Sequence, residues 1–416
     1  MDLKSNIPIC VPNISGNELK NLNECIETEF VSSVGRFVDE FERNLCSLSK
    51  FQFACAVNSG TSALSLALHN AGVKHGELVI IPDYTFIATA NAVSHCGASP
   101  WLFDINASDL NLDISLVRKS LEEECYKLDG DFYHKDSNKR IGAIIPVFAL
   151  GNAINFEVIN QLFNDFNIPV IIDAAGALGV KYKNLDLGEL DVTCITISFN
   201  GNKTFTCGGG GAILTNHESF FNLCKHTSTT ARSGYEYVHD KVGFNHRMTN
   251  IQAAVGCAQL ERYEEFISSK QDTFTHYINN FKYLDKVSFH DDIFSSKWIS
   301  YFIIDDADDF NLENLYQFAK DRGIHLRPFW VPMHLQPPYS KCPSSNLVNS
   351  KDVYLRVCTL PSSTNISKDQ LNSVSEVVNN FFAIFAIVSS FFCAVYLLGA
   401  DDNYNTPLIS MLPLGY

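Results

Sequence analysis

Two hydrophobic periods take turns along the first half of this chain. Short apolar or β-branched runs occur at 78–81, 101–105, 141–148, 170–172 and 195–199, and each reads as a buried strand. Between them lie segments whose apolar residues recur at helical spacing: Phe37, Phe41 and Leu45; Leu64, Ala67, Leu68 and Ala71; Ile159, Leu162, Phe163 and Phe166. This alternation, from about 55 to 215, predicts an α/β fold with a mostly parallel central sheet covered by helices on both faces. Residues 122–140, with their EEE, DGD and HKDSNKR clusters, interrupt it and read as a solvated insertion. After Val255 the pattern changes. A long helical stretch from Cys257 is followed by a strand (298–304), a helix (312–322) and the segment RPFWVPMHLQPPY. These predict a smaller α+β unit. The expected division is a large domain over 1–255 including the N-terminal segment, a small domain over 256–380, and a tail over 381–416.

The tail breaks the pattern. Ser367-Lys368-Asp369-Gln370 reads as a capping box, with Leu371, Val374 and Val378 as the stripe of the helix it opens. From 381 to 399 the run FFAIFAIVSSFFCAVYLLG is apolar all round except for Ser389 and Ser390. As a helix it is long enough to cross a bilayer core of about 30 Å. No Lys or Arg follows Lys368, so flanking charge gives little orientation signal. Three readings stand side by side: a membrane-anchoring helix, a buried or dimer-covering extension, and a tail without a selected role.

Charge and cysteine content narrow the class. Lys and Arg number 31 against 46 Asp and Glu, a net charge of −15, which disfavours a nucleic-acid partner. The 13 cysteines are scattered without a C-x-x-C pair, a pattern that fits neither a disulfide framework nor a zinc site and suits a reducing, cytoplasmic setting. The N-terminal MDLKSNIPIC lacks the layout of a signal peptide.

The richest stretch for chemistry is 193–216, TCITISFNGNKTFTCGGGGAILTN. A strand ends in an Asn/Gly turn, Lys203 follows, and four glycines (208–211) let backbone pass close to a ligand. A lysine at such a sheet edge can be desolvated, lose its proton and act as a Schiff-base nucleophile; it can equally be an exposed loop lysine. Asp173 ends the run at 170–172, where a buried carboxylate requires a cation, or else caps the following helix. Asn58-Ser59-Gly60-Thr61 opens a helix, offering free N–H groups to a phosphate or simply forming an N-cap.

In order along the chain, NSGTSALSLAL, IIPDYTFIATANAV, IPVFALGN, VIIDAAGALG, SFNGNKTFTCGGGGAILTN and GFNHRMTNIQAAVGCAQLE resemble the DegT-type sugar-nucleotide aminotransferases. These are pyridoxal-phosphate (PLP) enzymes of the aspartate-aminotransferase fold (fold type I). The resemblance runs from about 7 to 380. It is nearest to the legionaminic acid and bacillosamine branch, which shares SFNGNK and the run His239-Asp240-Lys241-Val242-Gly243-Phe244-Asn245.

The resemblance implies that Lys203 holds PLP as an internal aldimine and shuttles the proton. It puts Asp173 against the ring nitrogen and Phe86 on the ring face. Gly60, Thr61 and Ser198 hold the phosphate, with Asn245 contributed by the partner of a homodimer. His334 faces the sugar nucleotide, and Arg232, Arg247 and Arg327 are candidate cations for its diphosphate. The implied reaction carries an amino group, from glutamate, to a keto-sugar nucleotide for glycan assembly. By branch likeness the acceptor is C4 of a 4-keto-6-deoxy-N-acetylhexosamine nucleotide. One departure is visible: many members have Gln where this chain has Gly176. A PLP-dependent sugar dehydratase shares the fold but carries histidine at the place of Lys203. A non-catalytic regulator would have lost Lys203 or Asp173.

Overall fold

The computed structural model describes residues 6–284, 286–290, 294–305 and 311–398, with side chains of the last helix described to Ile387. The apolar runs of the first half are strands. Ser99–Phe103, Leu78–Pro82 and Ile141–Ile144 form one parallel group, and Ile171–Asp173, Cys194–Ser198, Gly211–Thr215 and Phe53–Val57 a second, each in that spatial order. Bridges Ile144 to Val170 and Val147 to Asp173, both parallel, join the two groups into one sheet. Gly211–Thr215 alone runs antiparallel to both of its neighbours.

The strands bury both faces, which is why their sequences are continuous apolar runs. Ile80, Phe103, Ile144, Ile172, Ile195, Ile197 and Leu214 point into one core, with Phe37, Phe41, Leu45, Val117, Leu121, Ile159 and Leu162 from covering helices. Val79, Ile81, Leu102, Ala143, Ile171, Cys194 and Ile213 point into the other, against Leu64, Leu66, Ala67, Leu68, Ala90 and Val93. The period-two side-chain alternation of each strand therefore divides it between two helical layers.

Within 122–140 the chain is more ordered than a solvated insertion. Cys125–Leu128 and Asp131–His134 pair as an antiparallel hairpin in which Leu128 faces Asp131. Its two-residue turn is Asp129-Gly130, at φ of 52° and 93°, the left-handed pair that a right-twisted hairpin favours.

After Val255 the helices Tyr263–Phe281, Leu312–Lys320 and Lys368–Leu398 accompany an antiparallel sheet of Val287–Ser288, Tyr301–Ile304 and Val357–Thr359. Tyr277, Phe281, Phe302, Leu315, Leu360, Val374 and Val378 form their own core. The final helix does not stop at 380. Phe382 is buried in this core, with Phe381 and Phe385 packed against it, whereas Ile384 and Ile387 are 50% and 69% exposed. Among the described residues no helix is long and apolar enough to cross a membrane. The side chains after Ile387 and residue 399, within the stretch 381–399, lie outside the described residues.

Candidate active site

Three chain segments meet where the parallel strands end, the edge at which such sheets build their sites. Asp173 closes the strand Ile171–Asp173, Ser198 closes Cys194–Ser198, and the helix Gly60–Asn70 begins beside them. Close backbone approach fixes this arrangement. A Cβ on Gly60 would come 2.8 Å from Cβ of Ser198, and one on Gly211 would come 2.6 Å from the nitrogen of Gly60. Ser59 caps the helix by accepting from the Ser62 N–H at 3.0 Å. The first N–H groups of the helix have no partner within it, and so point a positive end at the neighbouring space.

The loop carrying Lys203 is a tight return. Its N–H donates to the Asn200 carbonyl at 3.0 Å, and Cys207 N–H to the Phe199 carbonyl at 3.0 Å. Gly208 and Gly210, at φ of 75° and 108°, supply the left-handed turns that bring the chain back into Gly211–Thr215. Around this edge lies a cavity of about 460 Å³. Gly60, Thr61, Phe86, Asp173, Ser198, Lys203 and Arg327 all line it.

Burial sets the electrostatics. Asp173 is 5% exposed, and burial pushes its carboxyl up. The Thr89 hydroxyl donating at 2.7 Å, the Ala175 N–H donating at 3.1 Å and Lys203 act in the opposite direction. Burial likewise lowers Lys203 to about 8, with Asp173 and Cys10 pulling it back up. An amine near that value is free in a useful fraction at neutral pH and can both take and give a proton.

Residues 12–379 match the DegT/DnrJ/EryC1/StrS aminotransferase family. The chain belongs to this family. GDP-perosamine synthase of Escherichia coli O157:H7 is 33% identical over 380 residues, covering 91% of this chain and 99% of its own. A UDP-4-amino-4,6-dideoxy-N-acetyl-beta-L-altrosamine transaminase of Campylobacter jejuni is 27% identical, covering 92% and 98%. Among solved structures, Helicobacter pylori PseC, an aminotransferase involved in pseudoaminic acid biosynthesis, superposes with a TM-score of 0.82 at 21% identity over 91% of this chain and 99% of its own. The PLP form of a sugar aminotransferase from Streptococcus pneumoniae gives 0.80 at 22% identity, over 91% and 99%. The fold is that of the PLP-dependent aminotransferases, and this chain is a PLP-dependent aminotransferase.

The residues present fit that cofactor. A helix N-terminus beside the Ser198 hydroxyl suits a phosphate. A buried carboxylate suits a protonated ring nitrogen, and a half-buried amine of lowered pKa suits an aldehyde carbon. Phe86, 55% exposed at the cavity wall, offers an uncovered aromatic face.

Four of the residues singled out from the sequence do not line the cavity. Asn245 and Arg232 are exposed, Arg232 lying in the short hairpin Arg232–Ser233 and Val238–His239 with its guanidinium 4.6 Å from the Tyr237 ring. Arg247 pairs through its backbone with Val57, and its Nε has no hydrogen-bond partner among the described residues. His334 turns to Asp83, which is fully buried: the His334 N–H donates to Oδ1 at 2.8 Å, and Nδ1 lies 2.6 Å from Oδ2. Conversely, Trp298, Phe329 and Trp330 line the cavity, and Thr89 supports Asp173 from behind. Thr89, in the helix Ile87–His95, lies 3.0 Å by its hydroxyl from that of Thr85, which precedes the helix, so the T-x-x-x-T spacing is a faint sequence signal. Trp298 has no such signal, because the turns around it bring it to the site from the far side of the chain.

Proposed function

We propose that this enzyme transfers an amino group from glutamate to the ketone of a sugar nucleotide, with Lys203 as the proton carrier and Asp173 as the partner of the cofactor's ring nitrogen. The observation that carries this reading is a buried carboxylate and a half-buried lysine lowered to about 8 lining one cavity beside a helix N-terminus. Bound PLP supplies an electron sink for the carbon next to the transferred nitrogen. The chain supplies the rest. Gly60, Thr61 and Ser198 hold the phosphate, and Phe86 covers one ring face. Asp173 keeps a proton on the ring nitrogen. Nζ of Lys203 takes a proton from the donor carbon and, in the second half of the cycle, returns one to the sugar carbon. Arg327, at the cavity wall, is the cation for an anionic group of the donor or the sugar nucleotide.

A second copy of the chain completes the site in this reading. Asn245 lies just after a segment in which Tyr235, Tyr237, Val238 and Val242 are all exposed, the apolar surface of a contact. Across a two-fold axis it reaches the other copy's phosphate, bringing Arg232 and Arg247 toward the nucleotide. The active unit is cytoplasmic, and the apolar tail beyond Ile387 attaches it to a membrane where glycans are assembled.

Relatives with GDP and UDP in their names leave both nucleotides in play, alongside the 4-keto-6-deoxy-N-acetylhexosamine acceptor suggested by branch likeness. The test is a panel of GDP-, UDP- and dTDP-linked 4-keto-6-deoxy sugars incubated with glutamate and the PLP-loaded protein. One of them gaining an amino group, read by mass, supports the reading. An amino-free, dehydrated sugar product instead would make the protein a dehydratase.

A further inference from the structure

Trp298 roofs the reactive lysine. Nζ of Lys203 lies 3.6 Å from the centroid of its ring. Its Nε1–H donates to the carbonyl of Asn202, the residue before that lysine, at 2.7 Å. Beneath the indole is Gly176. A Cβ built there would come 2.3 Å from Cε3, 2.6 Å from Cδ2 and 3.0 Å from Cζ3 of Trp298, and these are its three closest atoms. Gly176 is not in the left-handed region, so its backbone does not call for glycine; the indole does. The surrounding chain is pinned on both sides. The Ser296 hydroxyl donates to the Gly176 carbonyl at 2.8 Å, and the buried Lys270 donates to the Trp298 carbonyl at 2.8 Å. Phe329 packs edge-on against the ring at 6.1 Å.

We propose that Trp298 is the positioning residue of Lys203: its indole, seated in the space that a side chain at 176 would fill, fixes the amine on one face and keeps water from it. The residue comes from the C-terminal part of the chain, three positions before the strand Tyr301–Ile304, while the lysine sits on the large sheet. Packing between the two parts therefore reaches the proton carrier directly. The glycine at 176 and the tryptophan at 298 act as one unit, since either side chain excludes the other.

Two effects of the ring oppose each other. A cation is drawn to its face, and exclusion of water disfavours that cation. The titratable groups facing the amine, Asp173 from the large sheet and Cys10 from the N-terminal segment, both favour the charged form. Burial nevertheless prevails at Lys203. Opening the roof therefore raises the pKa of the lysine nitrogen.

The proposal rests on Lys203 being the PLP lysine, which is tested separately by fixing PLP onto the wild-type chain with borohydride and locating the label; its absence from Lys203 ends that reading whatever the variants do. The variants are then compared as full-length, PLP-loaded proteins by the pH midpoint of lysine-bound PLP absorbance. Trp298→Ala moves the midpoint up by about one pH unit. Trp298→Phe, which keeps a ring but drops the bond to Asn202, moves it less. Gly176→Ala displaces the indole and reproduces Trp298→Ala, and the double variant is no worse than Trp298→Ala alone. A midpoint unmoved in both Gly176→Ala and the tryptophan variants, or effects of 176 and 298 that add in the double variant, overturns the proposal. Should Trp298→Ala fail to fold, Trp298→Phe and Gly176→Ala still decide it.

Discussion

Asp173 shows what burial does to a single group at this site. Its carboxyl is pushed up by the surrounding protein, held by two hydrogen bonds, and aimed into a cavity that the cofactor's ring fits. A ring nitrogen that keeps its proton supplies the cation this carboxylate needs, and the carboxylate in turn holds that proton. Asp173→Asn keeps the shape and removes the charge. We expect a loss of roughly thirty- to a thousandfold in turnover, about 2–4 kcal/mol in barrier, with PLP still bound. Steady-state rates near those of the wild type would leave Asp173 a capping residue that accepts from Ala175. Asp173 and Lys203 are singled out from the sequence and both line the cavity; the end of an apolar run points to Asp173, whereas Lys203 reads equally as a loop lysine until the family resemblance is added. Trp298 is not singled out. Its approach to Lys203 depends on how the chain beyond Val255 folds back on the large sheet, a long-range packing that no local period encodes.

At the scale of elements, the sheet could be read from the chain because each strand is buried on both faces and so is apolar throughout. The reversed direction of Gly211–Thr215 could not, since a buried strand looks alike either way round. The hairpin Cys125–Leu128 and Asp131–His134 was hidden among charges, although Asp129-Gly130 is a recognisable turn pair. Another hairpin, Arg232–Ser233 with Val238–His239, leads to Asn245 through a largely exposed segment. If that segment completes the site of a second copy, chains carrying Lys203→Ala and chains crippled by Asn245→Ala, each inactive alone, should recover activity when subunits are exchanged. The mixed pair then holds one intact site, so activity approaches a quarter of the wild-type value at equal mixing with random pairing. Exchange verified by mass with no recovery would mean that each site is built within one chain.

For the whole molecule, the cavity lies where the large sheet meets residues from the C-terminal part, including Trp298, Arg327 and Trp330. The family match ends at 379, yet the helix that begins at Lys368 continues to Leu398 and buries Phe382 on the way. Among the described side chains, packing of this helix against the core reaches Phe385, a few residues beyond the boundary suggested by sequence resemblance. A chain stopped after Ile387 is expected to bind PLP, remain soluble and stay as active as the full chain, and only the full chain to float with lipid vesicles. Equal flotation of the two would remove the membrane role of the tail. Failure of the shortened chain to bind PLP would make the tail part of the core.

The most direct test of the central claim is the first half of the reaction on its own. PLP-loaded protein is mixed with glutamate in the absence of any sugar, and 2-oxoglutarate is counted against protein chains. One equivalent per site, released once and then no more, with none from Lys203→Ala, is the result expected of a lysine that carries the proton for amino transfer. No release, or release that continues without an acceptor, would contradict it.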